Sequence, residues 1–209
     1  MVPPDAMAQP EAVPIYTPAR HMPMRVRPAG RMTDDELFEL CALNRELVIE
    51  RTKDGELIIM SPTGAETGRR NFALIGQLYA WIAREGQGVG FDSSTGFLLP
   101  NGAERSPDVA WVRRSRWDSL TTEERRKFAP LCPDFVIELR SPSEDLPELE
   151  AKMAEYIACG AILAWLIDAD ARRIRAYRPG RPVEIIDGPA QLSGEPELPG
   201  FRLDLSEVW

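Results

Sequence analysis

Two short apolar runs in this sequence each carry a carboxylate where a buried strand would hold an apolar residue. Asp108 interrupts the run 106–112, and Glu138 interrupts the run 133–140. Because burying an isolated carboxylate is costly, each of these side chains needs a cation, a proton or hydrogen bonds nearby. The two positions are therefore candidates for a functional site.

Two strand carboxylates followed by a lysine are the components of a site for metal-dependent phosphodiester hydrolysis. Mg²⁺ takes oxygen ligands and keeps several waters, so Asp108 and Glu138 could both bind it if their strands are neighbours. Such a metal would polarise the phosphate and lower the pKa of an attacking water. Lys152, one helix after Glu138, could orient that water or stabilise the developing charge. Arg140 is the alternative, because it lies two residues beyond Glu138 on the same strand face. Glu66 could add a third carboxylate from the start of a long helix.

Each of these residues also has a purely structural interpretation. Glu138 could form an ion pair with Arg140 or Lys152, and Asp108 could accept backbone hydrogen bonds at the start of a strand. Glu66 is favoured by the helix dipole in any case, and a single helix lysine is most often solvated. The spacing leaves both interpretations open for each residue, and only the combination favours the functional one.

Composition limits the chemistry that this chain can perform. His21 is the only histidine, which excludes catalysis that depends on a histidine base, and the three cysteines are scattered without a CxxC pair. Catalysis must therefore use carboxylates, lysine and metal. The 25 basic and 33 acidic side chains give a net charge of -8, which opposes non-specific binding of nucleic acid.

The 209 residues are enough for one domain. Residues 1–30 are rich in proline and poor in large apolar groups, which predicts a disordered or extended leader, and residues 31–209 are expected to form a single domain. The sequence has no apolar run near the ~20 residues that cross a bilayer and shows no secretory signal. A cytoplasmic location is therefore expected.

Periodicity and turn residues predict the elements that must position the candidate residues. A capping box at Thr33 begins a first helix, and the turn Lys53-Asp54-Gly55 joins two strands in a hairpin. Other helices are predicted over 66–84, 117–128 and 147–158, a central strand over 135–139, and a meander over 164–186. This order predicts an α/β or α+β sandwich around a mixed sheet.

Several of these stretches make the sequence resemble the Uma-two family of the PD-(D/E)XK restriction-endonuclease-like superfamily. The similarity covers about residue 33 to the end of the chain. It is carried by residues 55–64, 105–108, 133–143, 150–156, 165–168 and 198–201.

The resemblance implies a restriction-endonuclease-like core, a mixed β-sheet flanked by helices, with a divalent-metal site for Mg²⁺ or Mn²⁺. Asp108 matches the motif aspartate, Glu138 the next acidic ligand, and Glu66 the acidic residue of the long helix. In Glu138-Leu139-Arg140 an arginine stands where the motif has lysine. Lys152 in the following helix is the expected substitute.

The expected function is a metal-dependent endonuclease that acts on DNA, with RNA or a nucleotide as a less favoured substrate. The alternative is a catalytically silent interaction or regulatory protein on a nuclease scaffold, which the acidic balance and Arg140 favour. A homodimer would suit cleavage of two strands, because that reaction usually takes two sites.

Overall fold

The computed structural model describes residues 23–85 and 87–209, which form four α-helices, thirteen short strands and a 3-10 turn at Glu124–Arg126. The helices are α1 (Asp34–Leu43), α2 (Ala65–Glu85), α3 (Arg114–Asp118) and α4 (Leu146–Ala158). The strands are β1 (Met24–Val26), β2 (Val48–Arg51), β3 (Leu57–Met60), β4 (Gly88–Asp92), β5 (Phe97–Leu98), β6 (Glu104–Arg105), β7 (Val109–Arg113), β8 (Phe135–Leu139), β9 (Leu163–Asp168), β10 (Arg173–Tyr177), β11 (Glu184–Asp187), β12 (Gln191–Ser193) and β13 (Arg202–Asp204).

A six-stranded central sheet forms the core, in the order β11-β10-β9-β8-β7-β4. The β8–β9 pair is parallel and the other pairs are antiparallel. All five residues of β8 are buried, as expected for a strand covered on both faces. The mixed sheet, the central strand and the meander β9-β10-β11 confirm the predicted architecture.

Helices cover both faces of this sheet. The side chains of a strand alternate between its two faces, so Phe135 and Ile137 share a core with Leu78 of α2. Val136 shares the opposite core with Met153 of α4. Within the described parts of the chain, no helix is long and apolar enough to cross a membrane.

A second, antiparallel sheet of order β1-β3-β2-β6-β5 lies at the N-terminal side of the fold. The predicted capping box begins α1, with Thr33 accepting from the Glu36 amide and the Glu36 side chain accepting from Thr33. Leu37 of α1 packs against Ile49 and Leu57 of the sheet. The hairpin β2–β3 turns at Gly55, whose φ of 83° explains the glycine.

Two expectations are affected by the structure. Residues 1–22 of the predicted leader lie outside the described residues, whereas Met24–Val26 pairs with β3 as an extended edge strand. The helix predicted over 117–128 is wrong, because α3 ends at Asp118 and only a 3-10 turn follows. Thr121 donates its amide to Glu124 and accepts from the Glu124 amide, so this capping interaction begins a new turn instead of continuing the helix.

Candidate active site

Lys152 of α4 lies between the two sheets and contacts a carboxylate from each. Its Nζ is 2.8 Å from Oε1 of Glu138 in β8 and 2.8 Å from Oε1 of Glu50 in β2. The lysine side chain is 13% exposed. One ammonium group therefore joins the central sheet to the N-terminal sheet.

The sequence of α4 explains this position. Asp145 caps the helix by accepting from the Glu148 amide. Leu149, Met153 and Tyr156 are its buried residues and pack toward the central sheet. Residues 148, 152 and 155 follow at helical spacing and form one stripe, which meets the N-terminal side of the fold.

The other two residues of that stripe, Glu148 and Glu155, form ion pairs with arginines of the N-terminal sheet. Glu148 pairs with Arg25 of β1 at 2.7 Å, and Glu155 pairs with Arg105 of β6 at 2.7 Å. Lys152 therefore lies in the middle of a row of ion pairs that attaches α4 to this sheet.

Glu138 is buried and has two partners on α4. Its Oε1 accepts a hydrogen bond of 2.9 Å from the Tyr156 hydroxyl and contacts Lys152. Burial raises the pKa of Glu138; the charges of Asp108 and Glu50 raise it further, and Lys152 only partly opposes them. A further cation bound beside this carboxyl group would favour its ionised form.

Glu50 completes the cluster, although the sequence analysis did not select it. Its Oε1 accepts from the Ser106 amide at 3.0 Å, and its Oε2 is 3.1 Å from Arg105. Burial acts to raise the pKa of Glu50, but the charges of Lys152 and Arg105 outweigh it and lower that pKa. The signal was present, because Val48-Ile49-Glu50 is another apolar strand interrupted by a carboxylate.

Asp108 is held where β7 begins, beside the end of β8. Its Oδ2 accepts from the Leu139 amide at 2.8 Å, and its Oδ1 accepts from Asn71 Nδ2 at 2.8 Å. Burial raises the pKa of Asp108, whereas these two hydrogen bonds and the charge of Lys152 oppose the rise. The structure therefore brings Asp108, Glu138 and Lys152 into one cluster.

Glu66 lies elsewhere on α2. It is exposed and pairs with Arg69 at 2.8 Å and Arg70 at 3.3 Å. Asn71 is the α2 residue that reaches Asp108, and positions 66 and 71 differ by about 140° around a helix. Among the described residues, no contact between Glu66 and the cluster therefore supports its predicted metal-binding role.

Arg140 does not join the cluster either. Its NH1 is 2.7 Å from Oδ2 of Asp168, the last residue of β9. Between Arg140 and Lys152, the two candidates for the missing motif lysine, the structure therefore brings only Lys152 to Glu138.

Glu104 of β6 is a further buried carboxyl group near the cluster. Burial and the charge of Glu50 raise the pKa of Glu104 to about 8. Its Oε1 accepts from the Ser106 hydroxyl at 3.3 Å, and its Oε2 has no partner among the described residues. Glu104 is therefore mostly protonated at neutral pH.

A cavity of about 720 Å³ gives access to this cluster. Glu50, Arg105 and Lys152 line it, whereas Asp108 and Glu138 do not. A ligand in the cavity would therefore meet the lysine first.

The carboxylates suit a metal ion with few protein ligands. Among residues 23–85 and 87–209, no group of three or more His, Cys, Asp or Glu side chains is arranged to hold a metal. Mg²⁺ is often bound through one or two carboxylates, with water in the other positions. Asp108 and Glu138 are near enough for the charge of one to raise the pKa of the other. Their chemistry therefore fits a two-carboxylate site.

The fold is of the restriction-endonuclease-like class, a mixed sheet flanked by helices. It is similar to the crystal structure of a protein described as a "putative nuclease belonging to DUF820" from Anabaena variabilis ATCC 29413. The TM-score is 0.65 at 18% identity, over 77% of this chain and 89% of that chain. At this identity the similarity establishes the fold alone.

The family model for Uma2, described as "Putative restriction endonuclease", matches residues 34–206. The chain therefore belongs to the Uma2 family, which confirms the resemblance seen in the sequence. No curated protein matches this chain.

Proposed function

We propose that this protein is a Mg²⁺-dependent endonuclease that hydrolyses phosphodiester bonds of DNA. The observation that carries the proposal is the position of Lys152, held between Glu50 and Glu138 beside the Asp108 carboxylate. Membership of a family described as a restriction endonuclease supports a nuclease in general.

Lys152 acts in this proposal as a charged donor and not as a base. Burial acts to lower the pKa of Lys152, but the adjacent Glu138 and Glu50 raise it well above its usual range. The ammonium is therefore present at neutral pH. It can orient a water or stabilise the negative charge that develops on the phosphate as water attacks phosphorus and the P–O bond breaks.

Asp108 and Glu138 would hold the metal, which would supply a polarised phosphate and a more acidic water. The hydrogen bonds from Asn71 and the Leu139 amide orient the Asp108 carboxylate. The Tyr156 hydroxyl does the same for Glu138.

Nicking of supercoiled plasmid in Mg²⁺ tests the proposal. Asp108→Ala and Lys152→Ala are expected to lose at least about 100-fold in rate, the usual cost of removing one charge-stabilising group. Lys152→Arg should retain part of the activity because it keeps the positive charge. This variant therefore distinguishes an effect of lost charge from an effect of lost folding. Glu66→Ala and Lys127→Ala are the controls, because both residues are exposed, and their rates should match the wild type. Equal nicking by Asp108→Ala would assign the activity to a contaminant.

A catalytically silent binding protein is the second candidate, and one observation favours it. Lys152 already supplies a positive charge to both Glu50 and Glu138, so the cluster needs no metal for its stability. Calorimetry with Mg²⁺ and Mn²⁺ discriminates the two functions. Binding that disappears in Asp108→Ala supports the nuclease, and absence of binding supports the silent protein.

The proposal also covers the substrate, the oligomeric state and the location of the protein. DNA is preferred to RNA as the substrate, the active form is a homodimer, and the location is cytoplasmic. Sedimentation velocity tests the homodimer, since one chain has a mass of 23.4 kDa. Parallel assays on RNA and DNA of one sequence test the substrate.

A further inference from the structure

A basic groove lies beside the tip of the β2–β3 hairpin. Its volume is about 340 Å³. In the part of the chain that the structure describes, four cationic side chains line it, and Asp54 is its one acidic lining residue. The cations are Arg27, Arg31, Arg51 and Lys53. In a protein with 33 acidic and 25 basic side chains, this is an unusual local excess of positive charge.

Three of these four cations are available to a ligand. Arg51 is buried and paired with Asp34. The Arg27 side chain is 79% exposed, and its one acidic contact among the described residues, with Glu56, is long at 3.9 Å. Arg31 and Lys53 are exposed, and the described residues include no ion pair for either one.

The groove and the cavity at Lys152 share a lining residue. Successive side chains of a strand point to opposite faces, so Glu50 lines the cavity and Arg51 lines the groove. Lys53, at the hairpin tip, lines both. Gly55 also lines the groove, and a Cβ at this position would meet nothing within 4 Å, so a ligand can approach the backbone closely there.

We propose that this groove binds the sugar-phosphate backbone of the polynucleotide whose scissile phosphate lies at Lys152. The inference rests on the proposed function, and it adds Arg27, Arg31 and Lys53 as the residues that anchor the substrate.

A polynucleotide explains the observations better than an acidic protein does. The three cations come from two segments, and one of them, Lys53, also lines the cavity at the candidate active site. Repeated phosphates on one chain can meet all of these groups while one phosphodiester reaches Lys152. An acidic protein has no phosphodiester to place at Lys152 in the adjacent cavity.

Fluorescence anisotropy with a labelled 30-base-pair DNA, in EDTA so that no cleavage occurs, tests the inference on the full chain. Arg31→Ala and Lys53→Ala are each expected to weaken binding about tenfold at 0.1 M salt, because each removes one phosphate contact. Arg84→Ala and Arg202→Ala remove the same charge from exposed positions on α2 and β13, and their affinity should stay within about twofold of the wild type.

The outcomes separate this inference from the proposed function. Equal weakening by the groove variants and the two controls, or no DNA binding by the wild type, overturns the inference. Cleavage by the wild type with unchanged affinity of Arg31→Ala and Lys53→Ala also overturns it while the nuclease stands. Groove-dependent binding without cleavage in Mg²⁺ or Mn²⁺ supports the groove and removes the nuclease.

Discussion

Lys152 carries the electrostatic balance of the buried cluster. It is the one side chain that contacts both Glu50 and Glu138 within the described residues. Removing one partner of a buried ion pair leaves an uncompensated charge and typically costs 3–5 kcal/mol. The same residue is therefore important for stability, whether or not the protein is catalytic.

We expect Lys152→Met to lower the free energy of unfolding by about 3 kcal/mol or more, because Glu138 then loses its cationic partner and Glu50 keeps only Arg105. Urea titration followed by circular dichroism measures the change. Lys127→Met is the matched control, since its ion pairs with Asp35 and Glu123 are exposed, and it should cost less than about 1 kcal/mol. Equal effects of the two substitutions would contradict the buried ion-pair cluster.

Glu104 makes stability depend on pH. Its folded-state pKa of about 8 lies above the ordinary value of 4.5, so the folded protein holds a proton that the unfolded chain releases. The stability that protonated Glu104 contributes is therefore complete below about pH 4.5 and is lost as the pH rises toward 8.

Glu104→Gln imitates the protonated form and should remove this loss. Thermal unfolding at intervals from pH 5 to pH 9 is the measurement, with Glu155→Gln as a control on a carboxylate already paired with Arg105. At pH 8 the Glu104→Gln protein should be more stable than the wild type. An unchanged pH profile would show that Glu104 is ionised in the fold.

Single residues were predictable from the sequence where a carboxylate broke an apolar strand. That signal identified Asp108 and Glu138, and it was equally present at Glu50. Asn71 could not have been identified, because a polar residue in an amphipathic helix does not show which strand end it will meet. The structure brings it to Asp108, while Glu66 is turned to solvent.

The first residue of β4, Gly88, packs against the indole of Trp111. A Cβ at Gly88 would lie 1.9 Å from Nε1 of Trp111 and 2.7 Å from the Val112 carbonyl oxygen. Gly88 is paired with Arg113 in the sheet, so the backbone cannot move away without disturbing β7. Only glycine fits at this position.

We expect Gly88→Ala to destabilise the protein by about 1–3 kcal/mol, as overpacking does in well-packed cores. Gly76→Ala is the matched control, because this glycine lies within α2 and a Cβ there meets nothing within 4 Å. That change should stabilise the protein by about 0.5–1 kcal/mol. Chemical unfolding of the two variants gives both values, and a stable Gly88→Ala protein would argue against the close approach of Trp111.

The regular spacing of apolar residues made most helices and strands predictable. Local capping is the reason that the predicted helix over 117–128 is wrong. The long helix predicted over 66–84 is found at Ala65–Glu85, and the central strand over 135–139 is found at Phe135–Leu139. The charged segment 117–128 has no buried apolar stripe to hold a helix together. Capping between Thr121 and Glu124 therefore decides its conformation.

For the whole molecule, the distribution of charge matters more than its sum. The net charge of -8 disfavours general affinity for nucleic acid, so binding should depend on a few cations. If the groove cations Arg27, Arg31 and Lys53 each meet one phosphate, the plot of log K against log salt should have a slope of about −3.

Anisotropy titrations between 0.05 M and 0.3 M salt measure this slope. A Lys53→Ala protein should show a slope smaller in magnitude by about 1, whereas Arg84→Ala should keep the wild-type slope. A slope several units steeper would mean that another surface binds most of the phosphates. These cations were not predictable as a group, because positions 27, 31 and 53 do not form a run.

Glu50 and Glu138, which both contact Lys152, are 88 residues apart along the chain. Lys152 follows Glu138 by another 14 residues. During synthesis, Glu50 and Glu138 leave the ribosome before α4 does. A nascent or truncated chain that ends before residue 146 thus carries the acidic groups without the ammonium that stands between them. If Lys152 has the role proposed for it, hydrolytic competence would therefore require a chain that extends beyond α4.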